Sequence, residues 1–185
     1  MKLRLVLLAF LSLAVVASSP AVAQQLFQTD KLIVAAYEGK ADEVRALLVR
    51  GHPTDKRDGD GRTALIWAAT QGNYDSAELL LEYRVRPDIA DNFGNTALYY
   101  AAGNGFVDLV ELLIDKGAAV DPENKEGRTP LMRAAENGRT ETARVLIERG
   151  ADVNHADFTG RTVLDWARDG RSSQLVRMLE RAGAR

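Results

Sequence analysis

The chain has no cysteine among its 185 residues and only two histidines. Disulfides, thiolate metal ligands and a cysteine nucleophile are therefore excluded, and packing must stabilise the fold. Charge of one sign is not in excess either, because 24 Lys and Arg face 26 Asp and Glu. This near-equal number of positive and negative charges argues against binding to nucleic acid or to an anionic membrane surface, both of which need clustered positive charge.

Long apolar runs are missing as well, with one exception near the N-terminus. Residues 5–16 are apolar apart from Ser12, and Lys2 and Arg4 precede them. The run is shorter than the ~20 residues that a bilayer-spanning helix needs. A short basic start before a short apolar run is typical of a secretory signal peptide.

Small residues then mark a cleavage site. The segment Ala21-Val22-Ala23 places alanine at the two positions that matter for a cut before Gln24. We therefore expect residues 1–23 to be removed and residues 24–185 to form one domain in a bacterial periplasm. Secretion to the medium and an uncleaved anchor are the alternatives. No cysteine follows the small residues, which argues against a lipid anchor, and we expect no membrane attachment after cleavage.

Groups suited to catalysis or metal binding are sparse. His52 and His155 lie in two separate loops, and no serine has a histidine at a matching place. The acidic loop 55–61 resembles a calcium loop only faintly, because the twelfth position counted from Asp58 is Ala69 rather than glutamate. The sequence therefore predicts no catalytic residue, no metal site and no cofactor.

The sequence does contain a short motif that recurs every 33 residues. It consists of glycine, any residue, threonine, any residue and leucine, and it begins at residues 61, 94, 127 and 160. A fixed period of this length predicts an array of stacked supersecondary units. Such arrays usually present an extended binding face rather than a reaction centre.

Each column of the repeat has a physical reason. Threonine stands where a helix begins, and its hydroxyl can accept a hydrogen bond from the first turn. Paired alanines let neighbouring helices approach closely, and a glycine then ends the helix in a left-handed conformation. A leucine-rich amphipathic helix follows and ends at a second glycine. In that order, the columns are Thr63, Thr96, Thr129 and Thr162; the pairs 68–69, 101–102 and 134–135; Gly72, Gly105 and Gly138; and Gly51, Gly117, Gly150 and Gly183, with Arg84 as the exception.

The pattern resembles the ankyrin repeat. Residues 127–154 match nearly all of it, and the resemblance covers roughly residues 28–185. It implies an all-α solenoid of about five helix-turn-helix units with short hairpin-like loops, at about residues 28–57, 58–90, 91–123, 124–156 and 157–185. One departure is that the family's histidine after the Thr-Pro-Leu phrase is replaced by Ile66, Tyr99, Met132 and Asp165.

The resemblance also implies a concave face, lined by the loop tips and first helices, that binds partners. Phe93 is the strongest single candidate because it is an aromatic residue at a tip, and we expect Phe158 to pair with it. A stripe of Trp67, Tyr100, Arg133 and Trp166 lies within the first helices, where packing between units is the alternative interpretation. The candidate partner-binding residues are Tyr37, Trp67, Thr70, Gln71, Phe93, Tyr100, Asn104, Arg133, Glu136, Asn137 and Phe158.

The function that follows is a non-catalytic protein–protein interaction module, monomeric and without nucleic acid. Exported bacterial ankyrin-repeat proteins resemble this chain, and some are associated with catalases and protection from peroxide, which makes support of a catalase a candidate role. Three alternatives stay open. They are a secreted effector that binds a host protein, an enzyme with its site in a loop, and a haem or small-molecule carrier, for which His52 and His155 are poorly placed.

Overall fold

The computed structural model describes residues 30–185, so the expected signal peptide at residues 1–23 lies outside the described part. The described residues form helices and no strand, and an isolated bridge joins Ala156 to Thr162. The helices are α1 (Lys31–Tyr37), α2 (Ala41–Val49), α3 (Ala64–Gln71), α4 (Tyr74–Glu82), α5 (Ala97–Asn104), α6 (Val107–Asp115), α7 (Pro130–Glu136), α8 (Thr140–Glu148), α9 (Val163–Asp169) and α10 (Ser173–Arg181).

The helices are arranged in two layers. The inner layer stacks α1, α3, α5, α7 and α9 in sequence order, and the outer layer stacks α2, α4, α6, α8 and α10 in the same way. Each outer helix also packs against the inner helix that precedes it. The expected all-α repeat solenoid is therefore confirmed. Within residues 30–185 no helix combines the length and the apolar character needed to cross a bilayer.

Small side chains set the spacing of the inner layer. The paired alanines of α3, α5 and α7 are all fully buried. Each pair faces neighbouring units, and alanine leaves room for the helix backbones to approach. The leucine columns complete the core, with Leu65, Leu98 and Leu131 all at most 1% exposed. The core is thus one continuous cluster that runs through all the units.

The inner helices begin at the predicted caps. Thr63, Thr96 and Thr129 each accept a hydrogen bond from the backbone N–H three residues later, at 3.3–3.4 Å. In the last unit, Asp165 stands where the family has histidine, and its carboxylate accepts hydrogen bonds from both the N–H and the hydroxyl of Thr162. This reciprocal arrangement is a capping box. The missing histidine is thus replaced by a carboxylate in one unit alone.

The first unit lacks the threonine phrase and begins differently. The Asp30 carboxylate caps α1 by accepting the Leu32 N–H at 2.9 Å. The same oxygen lies 2.7 Å from Nε2 of His52, which stands just after α2. Asp30 therefore caps α1 and also links α1 to the loop that follows α2.

Two arginines occupy backbone positions that the other units give to glycine. Gly51, Gly117, Gly150 and Gly183 have φ values of 75–94°, and Arg84 stands in the same column with φ of 60°. Arg171 has φ of 56° in the column of Gly72, Gly105 and Gly138. The repeat geometry therefore imposes the left-handed conformation even where a β-carbon makes it costly.

Replacing Arg84 by glycine should relieve this strain. We expect Arg84→Gly to raise the free energy of unfolding by about 0.5–1 kcal/mol, because removing the β-carbon penalty outweighs the added freedom of glycine in the unfolded chain. Urea denaturation followed by circular dichroism measures the change. Arg86→Gly is the matched control, since Arg86 is also exposed but lies outside the left-handed region; a gain in both variants would contradict the argument.

Candidate partner-binding surface

The loop tips are joined to one another along the whole array. The N–H of Asn92 donates to the Asp60 carbonyl at 2.9 Å, and that of Lys125 donates to the Phe93 carbonyl at 3.0 Å. The N–H of Phe158 donates to the Glu126 carbonyl, also at 3.0 Å. Because each tip is hydrogen-bonded to its neighbour, side chains from different units are held in a common frame.

One side chain organises each tip from within. Its oxygen accepts the backbone N–H groups two and four residues later, at 2.9–3.1 Å in each of the four units that follow the first. These residues recur at the 33-residue period as Asp58, Asp91, Asn124 and Asp157, and we call them the tip-organising residues. The faint calcium resemblance has a structural explanation here, because the Asp58 carboxylate accepts N–H groups of its own loop. The signal that identifies this column in the sequence is its 33-residue period.

The same carboxylates tie each tip to an inner helix. The second oxygen of Asp58 accepts the Trp67 indole N–H at 2.7 Å, and that of Asp91 accepts the Tyr100 hydroxyl at 2.6 Å. Asp157 accepts the Trp166 indole N–H at 3.1 Å. The fourth unit lacks this hydrogen bond, because Asn124 stands in the position of the aspartate and Arg133 in that of the aromatic residue. The Asn124 amide instead donates to the Asn95 side-chain oxygen. The aromatic rings of this stripe therefore have a structural task in each of three units.

Arginine side chains lie between these rings. The Arg62 guanidinium carbon is 4.8 Å from the Trp67 ring centre and 5.4 Å from that of Tyr100. At the other end, Arg128 and Arg161 lie on the Trp166 ring, at 3.7 and 3.6 Å. Guanidinium groups at these distances are attracted by the ring faces. The inner surface is therefore a ladder of alternating cations and rings. The sequence places Arg62, Arg128 and Arg161 in one column, but it does not show that these arginines lie between the rings.

Most of these arginines are neutralised inside the chain. Glu136 lies 2.7 Å from Arg133 and 3.5 Å from Arg128. Arg161 pairs with Asp169. Arg62 differs, because its nearest carboxylate oxygen, on Asp91, is 3.9 Å from its Nε. Burial, together with the hydrogen bond to Asp91, raises the pKa of Tyr100, so its hydroxyl stays protonated and donating at neutral pH.

The predicted partner-binding residues divide by exposure. Phe93 and Phe158 have 58% and 71% of their surface exposed. Gln71, Asn104 and Asn137 are exposed too, whereas the half-buried members are Tyr37, Trp67, Thr70, Tyr100, Arg133 and Glu136. Trp166, the last ring of the stripe, is buried. The structure brings these residues to one side of the inner layer, along the tips and the adjacent helix faces.

The expected pairing of Phe93 with Phe158 is wrong. The ring pairs in the described part of the chain are Tyr37 with Trp67 and Tyr99 with Tyr100. Phe158 instead lies over the neighbouring tip, where a β-carbon on Gly127 would come within 2.6 Å of its ring. The chain reaches across from one tip to the next, so Phe158 covers the unit before its own rather than meeting Phe93.

Two polar candidates are already engaged between units. The Asn104 amide donates to the Thr70 carbonyl at 3.0 Å, and the Asn137 amide donates to the Gly103 carbonyl at 2.8 Å. These carbonyls end inner helices, which leave such groups without intrahelical partners. The Thr70 hydroxyl likewise donates to its own helix, to the Ile66 carbonyl. The two asparagines therefore help to join neighbouring units, and the remaining hydrogen-bonding capacity of all three side chains is reduced.

A groove of about 780 Å³ lies in the outer layer, on the other side of the molecule. It is lined by residues of α4 and α6 and of the turns before them, among them Tyr74, Phe106 and Leu109. Asp108, Glu111 and Asp115 give it a negative character. No histidine lines it, and within residues 30–185 no three His, Asp or Glu side chains are grouped so that they could hold a metal ion.

Comparison with protein families agrees with this architecture. A family model described as ankyrin repeats in three copies matches residues 11–91, 32–124, 85–157 and 117–185. The chain belongs to the ankyrin-repeat family. Ankyrin repeats are protein–protein interaction modules and are typically not catalytic. Comparison with curated proteins found no match.

Asp157, the last of the tip-organising residues, should make the ankyrin array acid-sensitive. Burial raises the pKa of Asp157, but hydrogen bonds from Thr159, Arg161 and Trp166 outweigh it and hold that pKa below its ordinary value of 3.8. A depressed pKa contributes stability that is present above the ordinary value and is lost as the pH falls through the folded-state pKa.

Asp157→Asn tests this contribution. The variant keeps one acceptor oxygen, as Asn124 does naturally, but it turns an amide N–H toward the Trp166 indole N–H. We expect a loss of about 1–2 kcal/mol at pH 7 and a smaller further loss between pH 7 and pH 3 than in the wild type. Urea midpoints at both pH values measure it, with Glu180→Gln, an exposed carboxylate on α10, as control. An unchanged acid loss would contradict the assignment.

Proposed function

We propose that this ankyrin-repeat protein binds a protein partner through its concave face after export to a bacterial periplasm. The observation that carries the proposal is the pair of exposed rings, Phe93 and Phe158, at the loop tips beside the ladder. Large apolar side chains that remain exposed on a rigid framework are typical anchors of an interface. A preorganised surface also loses little conformational entropy when it binds.

Two features of the ladder support binding by this face rather than by the outer layer. The tips are hydrogen-bonded to one another, so Phe93 and Phe158 are displayed on a single edge, one on each side of the fourth unit's tip. Aromatic and arginine side chains are also concentrated along this side, and these types are enriched at energetic centres of interfaces. The outer layer instead contains the acidic groove between α4 and α6, which is lined by Asp108, Glu111 and Asp115.

The test is capture of partners from a periplasmic extract with purified protein as bait. We expect Phe93→Ala combined with Phe158→Ala to reduce recovery of a specific partner at least about tenfold, because each substitution removes an exposed apolar anchor worth roughly 1–2 kcal/mol or more. Neither ring belongs to the buried core, so the unfolding midpoint should change little.

A matched control uses rings on the other layer. Tyr74 and Tyr83 are 38% and 42% exposed at the two ends of α4. The variant with both tyrosines replaced by alanine should retain the partner. Loss of the partner with the tyrosine pair and its retention with the phenylalanine pair would assign binding to the outer layer and refute the concave face.

Export is tested separately. We expect the protein recovered from the periplasmic fraction to begin at Gln24, because the segment before it has the layout of a cleaved signal peptide. Mass spectrometry of the intact protein from periplasm, cytoplasm and medium measures both the cut and the location. Recovery chiefly from the medium would favour the secreted effector, and recovery uncut from the cytoplasm would refute export.

Support of a catalase is the finer role that we propose, by resemblance to exported bacterial ankyrin-repeat proteins associated with catalases. A strain without this protein should then be more sensitive to peroxide and should contain less active catalase. The wild-type gene should restore resistance, whereas the gene with both phenylalanines replaced should not. Equal restoration by the two genes would separate the role from the concave face.

A further inference from the structure

Arg62 is the one arginine of the ladder whose guanidinium has no hydrogen-bond acceptor among residues 30–185. Its Nε is buried without a partner, and its side chain is 22% exposed. The two terminal nitrogens are not buried, so they are the part of the group that a ligand can reach. A guanidinium that carries five N–H donors and uses none of them within the fold is unusual in a half-buried place.

The nearest carboxylate cannot supply the missing bonds. Asp91 uses one oxygen to accept the N–H groups of Phe93 and Asn95, both at 2.9 Å. Its other oxygen accepts the Tyr100 hydroxyl at 2.6 Å and stays 3.9 Å from the Arg62 Nε. Asp91 is therefore engaged in building the tip, and Arg62 is held near it without being paired to it.

The other end of the ladder shows what a completed arrangement looks like. Arg161 stacks on Trp166 as Arg62 does on Trp67, but Arg161 also pairs with Asp169. The position that corresponds to Asp169 in the unit of Arg62 is occupied by Thr70, which is not acidic. The same cation and ring thus occur twice, once with an internal carboxylate and once without.

We propose that Arg62, held between Trp67 and Tyr100, binds an aspartate or glutamate side chain of the protein partner. This deepens the proposed function and rests on binding at the concave face. A carboxylate suits the place because the planar end of a guanidinium can donate two parallel hydrogen bonds to its two oxygens. The rings restrict the arginine before binding, so little side-chain entropy remains to be lost.

A defined probe tests the site without knowledge of the partner. The probe is a peptide of alternating glutamate and glycine, acetylated and amidated so that side chains supply its only carboxylates. Its glutamine counterpart has the same shape without the charge. Each is titrated into ¹⁵N-labelled protein at about 0.15 M salt, where long-range attraction between exposed charges is largely screened. Binding is followed by the Nε–H signal of Arg62 and the indole Nε1–H signal of Trp67. The Arg62 signal is identified as the one that is missing from the spectrum of Arg62→Lys.

We expect saturable shifts of both signals with the glutamate peptide, and affinity at least about tenfold lower for the glutamine peptide. Arg62→Gln should abolish the response, and Arg62→Lys should weaken it several-fold because lysine keeps the charge but loses the planar pair of donors. Arg161→Lys is the matched control, since Arg161 also lies on a tryptophan ring but already has an internal carboxylate. That variant should bind the peptide as the wild type does.

Three results would overturn the assignment of Arg62. They are equal binding of the two peptides, an unchanged response in Arg62→Gln, and no saturable shift of the Arg62 signal. The bait experiment separates this outcome from failure of the concave face. A partner lost with the phenylalanine pair but retained by Arg62→Gln would leave the concave face in place and refute the carboxylate site, whereas retention by the phenylalanine pair would refute the proposed surface itself.

Discussion

The array depends on one small arrangement, a side-chain oxygen that accepts two backbone N–H groups of its own loop. It shapes the tip in four successive units, through Asp58, Asp91, Asn124 and Asp157. Where the side chain is aspartate, its second oxygen holds the ring of the following inner helix. The tip, the ring and the helix therefore form one unit of structure. Since neighbouring tips are also hydrogen-bonded, the spacing of the binding surface follows from the spacing of the helices.

The chemical character of the concave face comes from what is placed between these rings. Arginines fill the gaps, and cations beside ring faces are stabilised without becoming inaccessible. Toward the C-terminal end the carboxylates of Glu136 and Asp169 neutralise them. Toward the N-terminal end the nearest carboxylate to Arg62 is that of Asp91, which lies 3.9 Å from its Nε without a hydrogen bond to it. The arginines at the C-terminal end of the ladder are thus paired with carboxylates of the chain, whereas Arg62 makes no hydrogen bond to a carboxylate.

Much of the architecture follows from the sequence because it is local and repeated. Thr63 predicts a helix start and Gly72 predicts its end, and both interactions are made within a few residues along the chain. Repetition then removes ambiguity, since a weak signal that returns every 33 residues in phase has one common explanation. Arg84 and Arg171 show the strength of this constraint, because the unit keeps a left-handed turn even where the residue type opposes it.

The site was less predictable, and the reason is physical. The sequence alone determined which rings and amides would lie along the inner helices, because helix periodicity assigns each position to a face. It did not determine that Phe158 covers Gly127 rather than Phe93, that Asn137 is engaged with Gly103, or that Arg62 lies without a hydrogen-bonded carboxylate. Those outcomes depend on contacts between units roughly 30 residues apart, and the rise and rotation from one unit to the next decide which side chains meet. The repeat specified the units, and only their stacking decided which polar groups were left for a partner.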